Sequence, residues 1–189
     1  MKDLLILLAD GFEEIEALTV CNYLRRADME VDLVAIKDRV EVVGSHNIKI
    51  VADKLFSEIN VGDYKGIYIP GGLPGATNLA KDSRIVELCE VYAQNDKKVI
   101  AICAGPIVLD RANLLKDINY TCYPGFEGNL STQDRLDELV VEDGNIITAM
   151  GPSMAQILAF KLIEILKDTQ TSKRVKEETL FNVLKEKIK

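Results

Sequence analysis

Residues 4–26, LLILLADGFEEIEALTVCNYLRR, decide the fold class. Residues 4–9 form a continuous apolar run, and its length is typical of a strand buried on both faces of a parallel sheet. Residues 13–26 carry apolar side chains at helical spacing. Asp10 stands before them as a possible helix cap, with Glu13 three residues later as its capping-box partner. This unit of strand, loop and helix predicts an α/β protein.

The same alternation continues to the end of the chain. We predict strands at 31–36, 64–69, 98–102 and 146–149, weaker strands at 120–122 and 140–141, and a hairpin of 40–43 and 48–51 around Gly44-Ser45. Helices are predicted at 83–94, from 104, from 151 to about 167, and from 171 or 172 onward. This order predicts a three-layer, flavodoxin-like (Rossmann-type) α/β sandwich, with a mostly parallel sheet and helices on both faces. Ligands of such sheets bind beyond the carboxyl ends of the strands, where loops 9–16, 70–75 and 102–106 lie.

Length and composition predict one globular domain over residues 1–189, in which 168–189 form a C-terminal helix. The chain is 48% hydrophobic and 28% charged, which is a globular composition. With 23 basic and 30 acidic residues the net charge is −7, so a nucleic-acid partner is not expected. No apolar run approaches the roughly 20 residues that cross a membrane, and the first residues lack the features of a signal peptide. We therefore expect a protein of the reducing cytoplasm, with no membrane partner.

Cys103 is the main candidate for chemistry. It lies between a predicted strand and a predicted helix in AICAGP, residues 101–106. Small residues on both sides are typical of a nucleophile elbow, a sharp turn that lifts the nucleophile above the sheet. A helix N-terminus also favours the thiolate, so the pattern predicts a lowered pKa for Cys103. The alternative is a small thiol that only packs the junction.

The other cysteines lack this context. Cys21 and Cys89 fall on apolar helix faces and are expected to fill the core. For Cys122, which lies near a strand end, the sequence predicts no particular role. No CxxC pair occurs and the chain has a single histidine, so no metal site is predicted. No cofactor is expected either.

A reactive thiol needs a partner that moves protons. His46 is near the predicted hairpin tip, remote in sequence from Cys103, and is expected to be a solvated loop residue. Glu13, Glu14 and Glu16 lie at the same sheet edge as Cys103, and a protonated glutamate there could donate to the thiolate. Acidic residues are also common in the first turn of a helix. Helical periodicity places Glu13 and Glu14 nearer the apolar stripe than Glu16, so periodicity alone would not choose Glu16.

The loop PGGLPG, residues 70–75, follows a buried strand. Its glycines allow backbone N–H groups to form an oxyanion nest, with a plain tight turn as the alternative. The loop is neither GxGxxG nor a Walker loop, so it does not indicate a nucleotide site.

Together these segments resemble the ThiJ/PfpI superfamily, and within it the branch of the parkinsonism-associated deglycase and its bacterial relatives. The resemblance spans about residues 3–168. Its matching pieces are LADGFEEIE (8–16), LRRA (24–27), IPGG (69–72), Gly75-Ala76, AICAGP (101–106) and Gly151-Pro152.

The resemblance implies specific roles for several residues. Cys103 would be the oxidation-sensitive nucleophile and Glu16 the protonated acid beside it. The amides of Gly75 and Ala104 would form the oxyanion pocket, with Gly72 and Tyr123 also at the substrate. The family fold is flavodoxin-like and usually dimeric, and its proposed activities include glyoxalase, deglycase, redox-linked chaperone and protease.

The chain departs from the family pattern at three positions. Protease-like members carry a histidine right after the nucleophile, and Ala104 here argues against a protease. Tyr123 aligns where the deglycase branch often has a histidine; a tyrosine can hydrogen-bond a substrate but cannot act as a base at neutral pH. His46 aligns with an arginine near the dimer interface of a close relative.

Two functions are therefore expected from the same residues. The first is a cofactor-independent glyoxalase or deglycase that acts on reactive carbonyls, such as methylglyoxal or glycated adducts, through Cys103. The second is a stress or chaperone protein that senses redox state by oxidation of Cys103 to a sulfinate.

We also expect a homodimer formed through the N-terminal half. Tyr23 and Leu24 widen the apolar surface of the first helix, and such a dimer would bring His46 toward the partner's pocket.

Overall fold

The computed structural model describes residues 1–188, and within them an α/β sandwich surrounds one large sheet. The strands are Lys2–Leu8 (β1), Val31–Ala35 (β2), Glu41–Val43 (β3), Lys49–Val51 (β4), Lys54–Leu55 (β5), Tyr64–Ile69 (β6), Lys98–Ile102 (β7), Val140–Asp143 (β8) and Ile146–Ala149 (β9). The α-helices are Glu14–Arg26 (α1), Gly75–Lys81 (α2), Ser83–Gln94 (α3), Pro106–Arg111 (α4), Ala155–Leu166 (α5), Thr169–Glu178 (α6) and Phe181–Lys187 (α7).

The large sheet has seven strands in the order β5-β2-β1-β6-β7-β9-β8. Its neighbouring strands are parallel except for β8, which runs antiparallel to β9. β3 and β4 form a separate antiparallel hairpin. The chain passes from β1 to β2 on one side and then crosses to β6 on the other side of β1. The strand order reverses there, and the crevice outside the carboxyl ends of β1 and β6 is the expected ligand position of this fold.

Alternate residues of β1 enter two different cores, because successive side chains of a strand point to opposite faces. Leu4, Ile6 and Leu8 pack with the apolar faces of α1 and α5. Leu5 and Leu7 pack with α2, α3 and α4 on the other face. Both faces of the strand are therefore buried, which explains the unbroken apolar run and confirms the predicted fold class.

Asp10 does not cap α1, contrary to the prediction. The N-cap is Glu13, whose carboxylate accepts from the Ile15 N–H. The Asp10 carboxylate instead accepts from the Val43 amide at 3.0 Å and pairs with Lys37 and Arg39 at 2.8 and 2.6 Å. The Asp10 carboxylate therefore pairs with two cations of the loop between β2 and β3, and it does not cap a helix that begins four residues later.

Other element boundaries also differ from the prediction. Residues 120–122 form a loop and not a strand, because the Thr121 amide donates to the side-chain hydroxyl of Thr148 in β9 at 2.8 Å and not to a backbone carbonyl. The short helix α2 was not predicted. The helix after Cys103 begins at Pro106, and the last predicted helix is divided between α6 and α7 at Leu180, whose φ is 57°.

None of the helices in residues 1–188 has both the length and the apolar character that crossing a bilayer requires.

Candidate active site

Cys103 occupies a sharp turn at the carboxyl end of β7. Its φ is 61°, in a region that a non-glycine residue adopts at a cost. Two hydrogen bonds hold this backbone: Cys103 N–H donates to the Ala149 carbonyl at 2.9 Å, and its carbonyl accepts from the Tyr123 N–H at 3.0 Å. A Cβ at Gly105 would lie 2.6 Å from the Ile69 carbonyl oxygen. The turn is the predicted nucleophile elbow, and the small neighbour is required for it.

Glu16 is the carboxylate that the fold brings to Cys103. It lies in the first turn of α1 and is 0% exposed. Its Oε2 accepts from the Gly71 amide at 2.6 Å, and the Tyr68 hydroxyl donates to its carbonyl oxygen at 3.1 Å. Within residues 1–188, Glu16 Oε1 is the one buried side-chain polar atom that lacks a hydrogen-bond partner. This atom is available for a proton shared with the Cys103 thiol.

The pKa values of this pair move in the same direction. Burial raises the pKa of the Glu16 carboxyl to about 7, although the Gly71 amide and Cys103 oppose this. Burial, followed by the Glu16 charge, raises the pKa of the Cys103 thiol above its ordinary value. The prediction of a lowered thiol pKa is therefore wrong, because a six-residue helix does not offset burial beside a carboxylate. The pair behaves as one unit that retains a proton at neutral pH.

Two backbone amides favour the charged form of the sulfur. The N–H groups of Ala104 and Gly72 donate to the Cys103 sulfur and lower its pKa against the effects just described. The Gly75 N–H, which the resemblance assigned to the oxyanion pocket, donates instead to the Gly11 carbonyl at 3.1 Å. Gly72 and Ala104 are thus the amides directed at the Cys103 sulfur.

Gly71 is a site residue that the sequence analysis did not single out. A Cβ there would lie 2.7 Å from Glu16 Oε2 and 2.8 Å from the Cys103 Cβ. Only a glycine fits between Glu16 and Cys103 while it also donates its amide to Glu16. In the sequence, the signal for a close approach at this position was the Gly71-Gly72 pair shortly after a buried strand.

Glu13, Glu14 and His46 form a second group beside the first. His46 Nδ1 is 3.1 Å from Glu14 Oε2 and 3.5 Å from Glu13 Oε2. The ring is largely exposed, as predicted, but the turn of the β3–β4 hairpin holds it against α1. Hydrogen bonding to Glu14 raises the pKa of His46. In the part of the chain that the structure describes, these three residues are the group with metal-ligand spacing.

Tyr123 lies at the rim of the site. It forms a cleft of about 350 Å³ with Pro124 and residues 150–154. One wall of the cleft begins at Tyr123 and the other begins directly after Ala149. Both of these residues hydrogen-bond the Cys103 backbone. A larger cavity of about 530 Å³ is lined by residues between Asp110 and Asp134. Neither cavity has Cys103 or Glu16 in its walls, but the smaller cleft is connected to the Cys103 turn through Tyr123 and Ala149.

The remaining cysteines are buried. Burial raises the pKa of Cys21 to about 11 and that of Cys89 to about 12. Cys122 is fully buried, with its sulfur 3.9 Å from Glu127. The prediction that Cys21 and Cys89 fill the core is confirmed.

The fold and site define a class: a flavodoxin-like protein with a cysteine at a nucleophile elbow, beside a buried glutamate at the carboxyl edge of the sheet. Residues 2–165 match the DJ-1/PfpI family. The chain belongs to this family, as the resemblance implied.

Individual relatives agree in sequence and in structure. The chain is 31% identical to protein dj-1beta of Drosophila melanogaster over 169 residues, 87% of this chain and 89% of the relative. It is 36% identical to protein DJ-1 homolog B of Arabidopsis thaliana over 85% of this chain. The chain spans only 37% and 41% of the length of the two Arabidopsis homologues, B and A. The structure of oxidised DJ-1 from Toxoplasma gondii superposes with a TM-score of 0.89 at 32% identity, covering 95% of this chain and 98% of that one.

Proposed function

We propose that this protein is a cysteine-dependent, cofactor-independent enzyme of the cytoplasm that acts on reactive carbonyls, as a glyoxalase or deglycase. The observation that carries the proposal is the free Oε1 of fully buried Glu16 beside Cys103. A buried acid with a pKa of about 7 can both give and take a proton near neutral pH. The membership in the DJ-1/PfpI family supports the same reading.

The geometry supports a specific sequence of steps for methylglyoxal. As the Cys103 sulfur attacks the aldehyde carbon, the Glu16 carboxylate takes the thiol proton and passes it to the carbonyl oxygen, which gives a hemithioacetal. The amides of Gly72 and Ala104 stabilise the charge that develops. Glu16, again a carboxylate, takes the proton from the former aldehyde carbon and returns it to the neighbouring carbon. The hydroxyl proton of the former aldehyde carbon passes to the neighbouring oxygen, and a thioester results. Water then cleaves the thioester to lactate, so the former aldehyde carbon is oxidised and its neighbour is reduced.

Turnover of methylglyoxal tests the proposal. Purified protein is incubated with methylglyoxal, and lactate is measured over time in wild type, Cys103→Ser and Cys21→Ser. We expect lactate from wild type and from Cys21→Ser but not from Cys103→Ser. Equal rates in all three, or no lactate from wild type, would contradict the enzyme assignment.

The hydrogen-bond donors around the Cys103 sulfur support a second candidate function, redox sensing by oxidation of Cys103. A sulfinate on Cys103 would accept from the amides of Gly72 and Ala104 and from protonated Glu16. Two equivalents of hydrogen peroxide supply the oxygens and leave as water. The Toxoplasma gondii relative was solved in an oxidised form. Intact mass after mild peroxide treatment tests this reading: a stable gain of two oxygens on Cys103 without methylglyoxal turnover supports the sensor.

A further inference from the structure

The group of Glu13, Glu14 and His46 combines two elements that are far apart in sequence. Both glutamates belong to the start of α1 and are at least nine-tenths buried, whereas His46 belongs to the hairpin turn and its side chain is 69% exposed. One donor atom of each residue lies within 4.8 Å of the other two. The set offers one imidazole nitrogen and two carboxylate oxygens from a fixed frame, with its imidazole exposed in the single chain.

The charges of this group are unbalanced. Among the described residues, no lysine or arginine forms an ion pair with Glu13 or Glu14, and His46 is their one ionic partner. The backbone amides of His46 and Ile48 donate to Glu14, and that of Ile15 donates to Glu13. Amides carry no net charge, however, and buried carboxylates are normally paired with a cation or bind a metal. An exposed imidazole supplies at most one positive charge against two negative charges. A divalent cation would balance both.

The distances suit a small tetrahedral ion. A metal with bonds of about 2.0–2.1 Å separates its ligands by about 3.3 Å. The two distances from His46 Nδ1 to the carboxylates are 3.1 and 3.5 Å. The Ser45 hydroxyl lies 3.1–3.3 Å from the imidazole nitrogen and the two carboxylates, and it marks a fourth corner that solvent or the hydroxyl can fill.

We propose that Glu13, Glu14 and His46 bind a zinc-class divalent ion, which joins the hairpin turn to the start of α1. Mixed imidazole and carboxylate donors suit Zn²⁺, whereas Mg²⁺ and Ca²⁺ prefer oxygen alone. The sequence did not indicate this site, because a single histidine and two adjacent glutamates lack a zinc-ligand spacing. The proposal is independent of any activity at Cys103.

Zinc titration of the untagged chain tests the site, since an expression tag would add histidines. We expect one Zn²⁺ per chain by calorimetry and a rise in melting temperature with Zn²⁺. His46→Gln should weaken binding by more than about tenfold, and Glu13→Gln should do the same through a second ligand. Glu41→Gln, which removes an exposed acid from the adjacent strand β3, is the matched control and should bind like wild type.

The Cys103–Glu16 pair is the competing metal site, and cobalt distinguishes the two. We expect Co²⁺ to give visible bands without the near-ultraviolet charge-transfer band of a thiolate ligand, and to bind equally well to Cys103→Ser. The proposal is overturned if a thiolate band appears and Cys103→Ser abolishes binding. It is equally overturned if His46→Gln, folded by circular dichroism, binds Zn²⁺ like wild type, if Glu41→Gln weakens binding as much, or if wild type shows no binding at about 0.1 mM Zn²⁺.

Discussion

Ionisation of the buried Glu16 carboxyl lowers the stability of the folded protein, and the same raised pKa suits Glu16 to move protons. Its pKa of about 7 in the folded protein exceeds the ordinary value of 4.5, so the folded state binds more protons between these values. Stability therefore falls as the pH rises from about 4.5 to about 7. A shift of this size corresponds to a loss on the order of 3 kcal/mol by pH 8.

Glu16→Gln should remove this loss and also the acid. A glutamine accepts from the Gly71 amide as Glu16 does and stays neutral at every pH. We expect the variant to be more stable than wild type at pH 8 but not at pH 4.5, as measured by urea unfolding at both pH values. Turnover at Cys103 should fall by about 100-fold or more, because general acid–base catalysis is lost.

Glu13→Gln is the matched control for this prediction, since Glu13 lies at the same helix start but caps it. We expect it to lower stability by no more than about 1 kcal/mol and to leave turnover close to wild type. Loss of turnover in Glu13→Gln with wild-type turnover in Glu16→Gln would show that the wrong glutamate was chosen.

At the scale of elements, the loop after β6 positions the acid against the nucleophile. Gly71→Ala would place a methyl group within 3 Å of Glu16 Oε2 and the Cys103 Cβ. We expect alkylation of Cys103 by iodoacetamide to change by about tenfold or more, because small displacements alter reactivity strongly. Overpacking should also cost about 1–3 kcal/mol. Gly128→Ala is the control, since nothing lies within 4 Å of its added Cβ; a similar effect there would argue against the loop.

A second element prediction concerns the opposite edge of the sheet, where Asp32 ties β2 to β1 and β6. Burial alone would raise the pKa of the Asp32 carboxyl, but hydrogen bonds from Lys2, Tyr64 and Lys54 outweigh it and lower the pKa to about 2. The stabilisation is therefore complete above about pH 3.8 and is lost as the pH falls toward 2.

Asp32→Asn should cost about 2 kcal/mol at neutral pH, measured by urea unfolding. The difference in unfolding free energy between wild type and Asp32→Asn should shrink as the pH is lowered from about 3.8 toward 2. A deficit of the same size at pH 7 and at pH 2.5 would mean that packing, and not the ionised carboxylate, accounts for the loss.

The elements that were predicted correctly are those whose signal is local. The apolar runs of β1, β6 and β7, and the small residues around Cys103, report burial and a sharp turn directly. The role of Asp10 depends on Lys37 and Arg39, about thirty residues away. The choice among three glycines in the loop 70–75 depends on the path of the loop, which composition does not encode. The selection of Glu16 likewise needed either the fold or the family resemblance.

At the scale of the whole molecule, a dimer would need a surface other than the apolar face expected at Tyr23 and Leu24. Leu24 is buried in the core. Tyr23 packs edge-on against Phe160 and accepts a hydrogen bond from Gln156. Neither residue leaves the first helix with a spare apolar face, so that argument for a dimer is wrong.

An apolar surface nevertheless exists in the N-terminal half. Ile15, Ile48 and Val51 are 57%, 52% and 68% exposed, and the Ile48 amide donates to Glu14, the neighbour of Ile15, at 3.3 Å. The start of α1 and the turn before β4 therefore present two exposed apolar side chains, Ile15 and Ile48, in the region of His46. We propose that this surface forms a two-fold interface, because a symmetric dimer needs only one self-complementary surface.

Light scattering at micromolar concentration tests the dimer. We expect twice the chain mass of 21.0 kDa and an interface of about 1,200–2,000 Å². Ile15→Glu should give monomers, because a symmetric interface would bury two unpaired charges, one from each chain. Val91→Glu is the matched control: Val91 is similarly exposed but lies on α3, on the other face of the sheet, and its variant should remain dimeric. A monomer mass for wild type would refute the dimer, and a dimer in Ile15→Glu that is lost in Val91→Glu would move the interface to the other face.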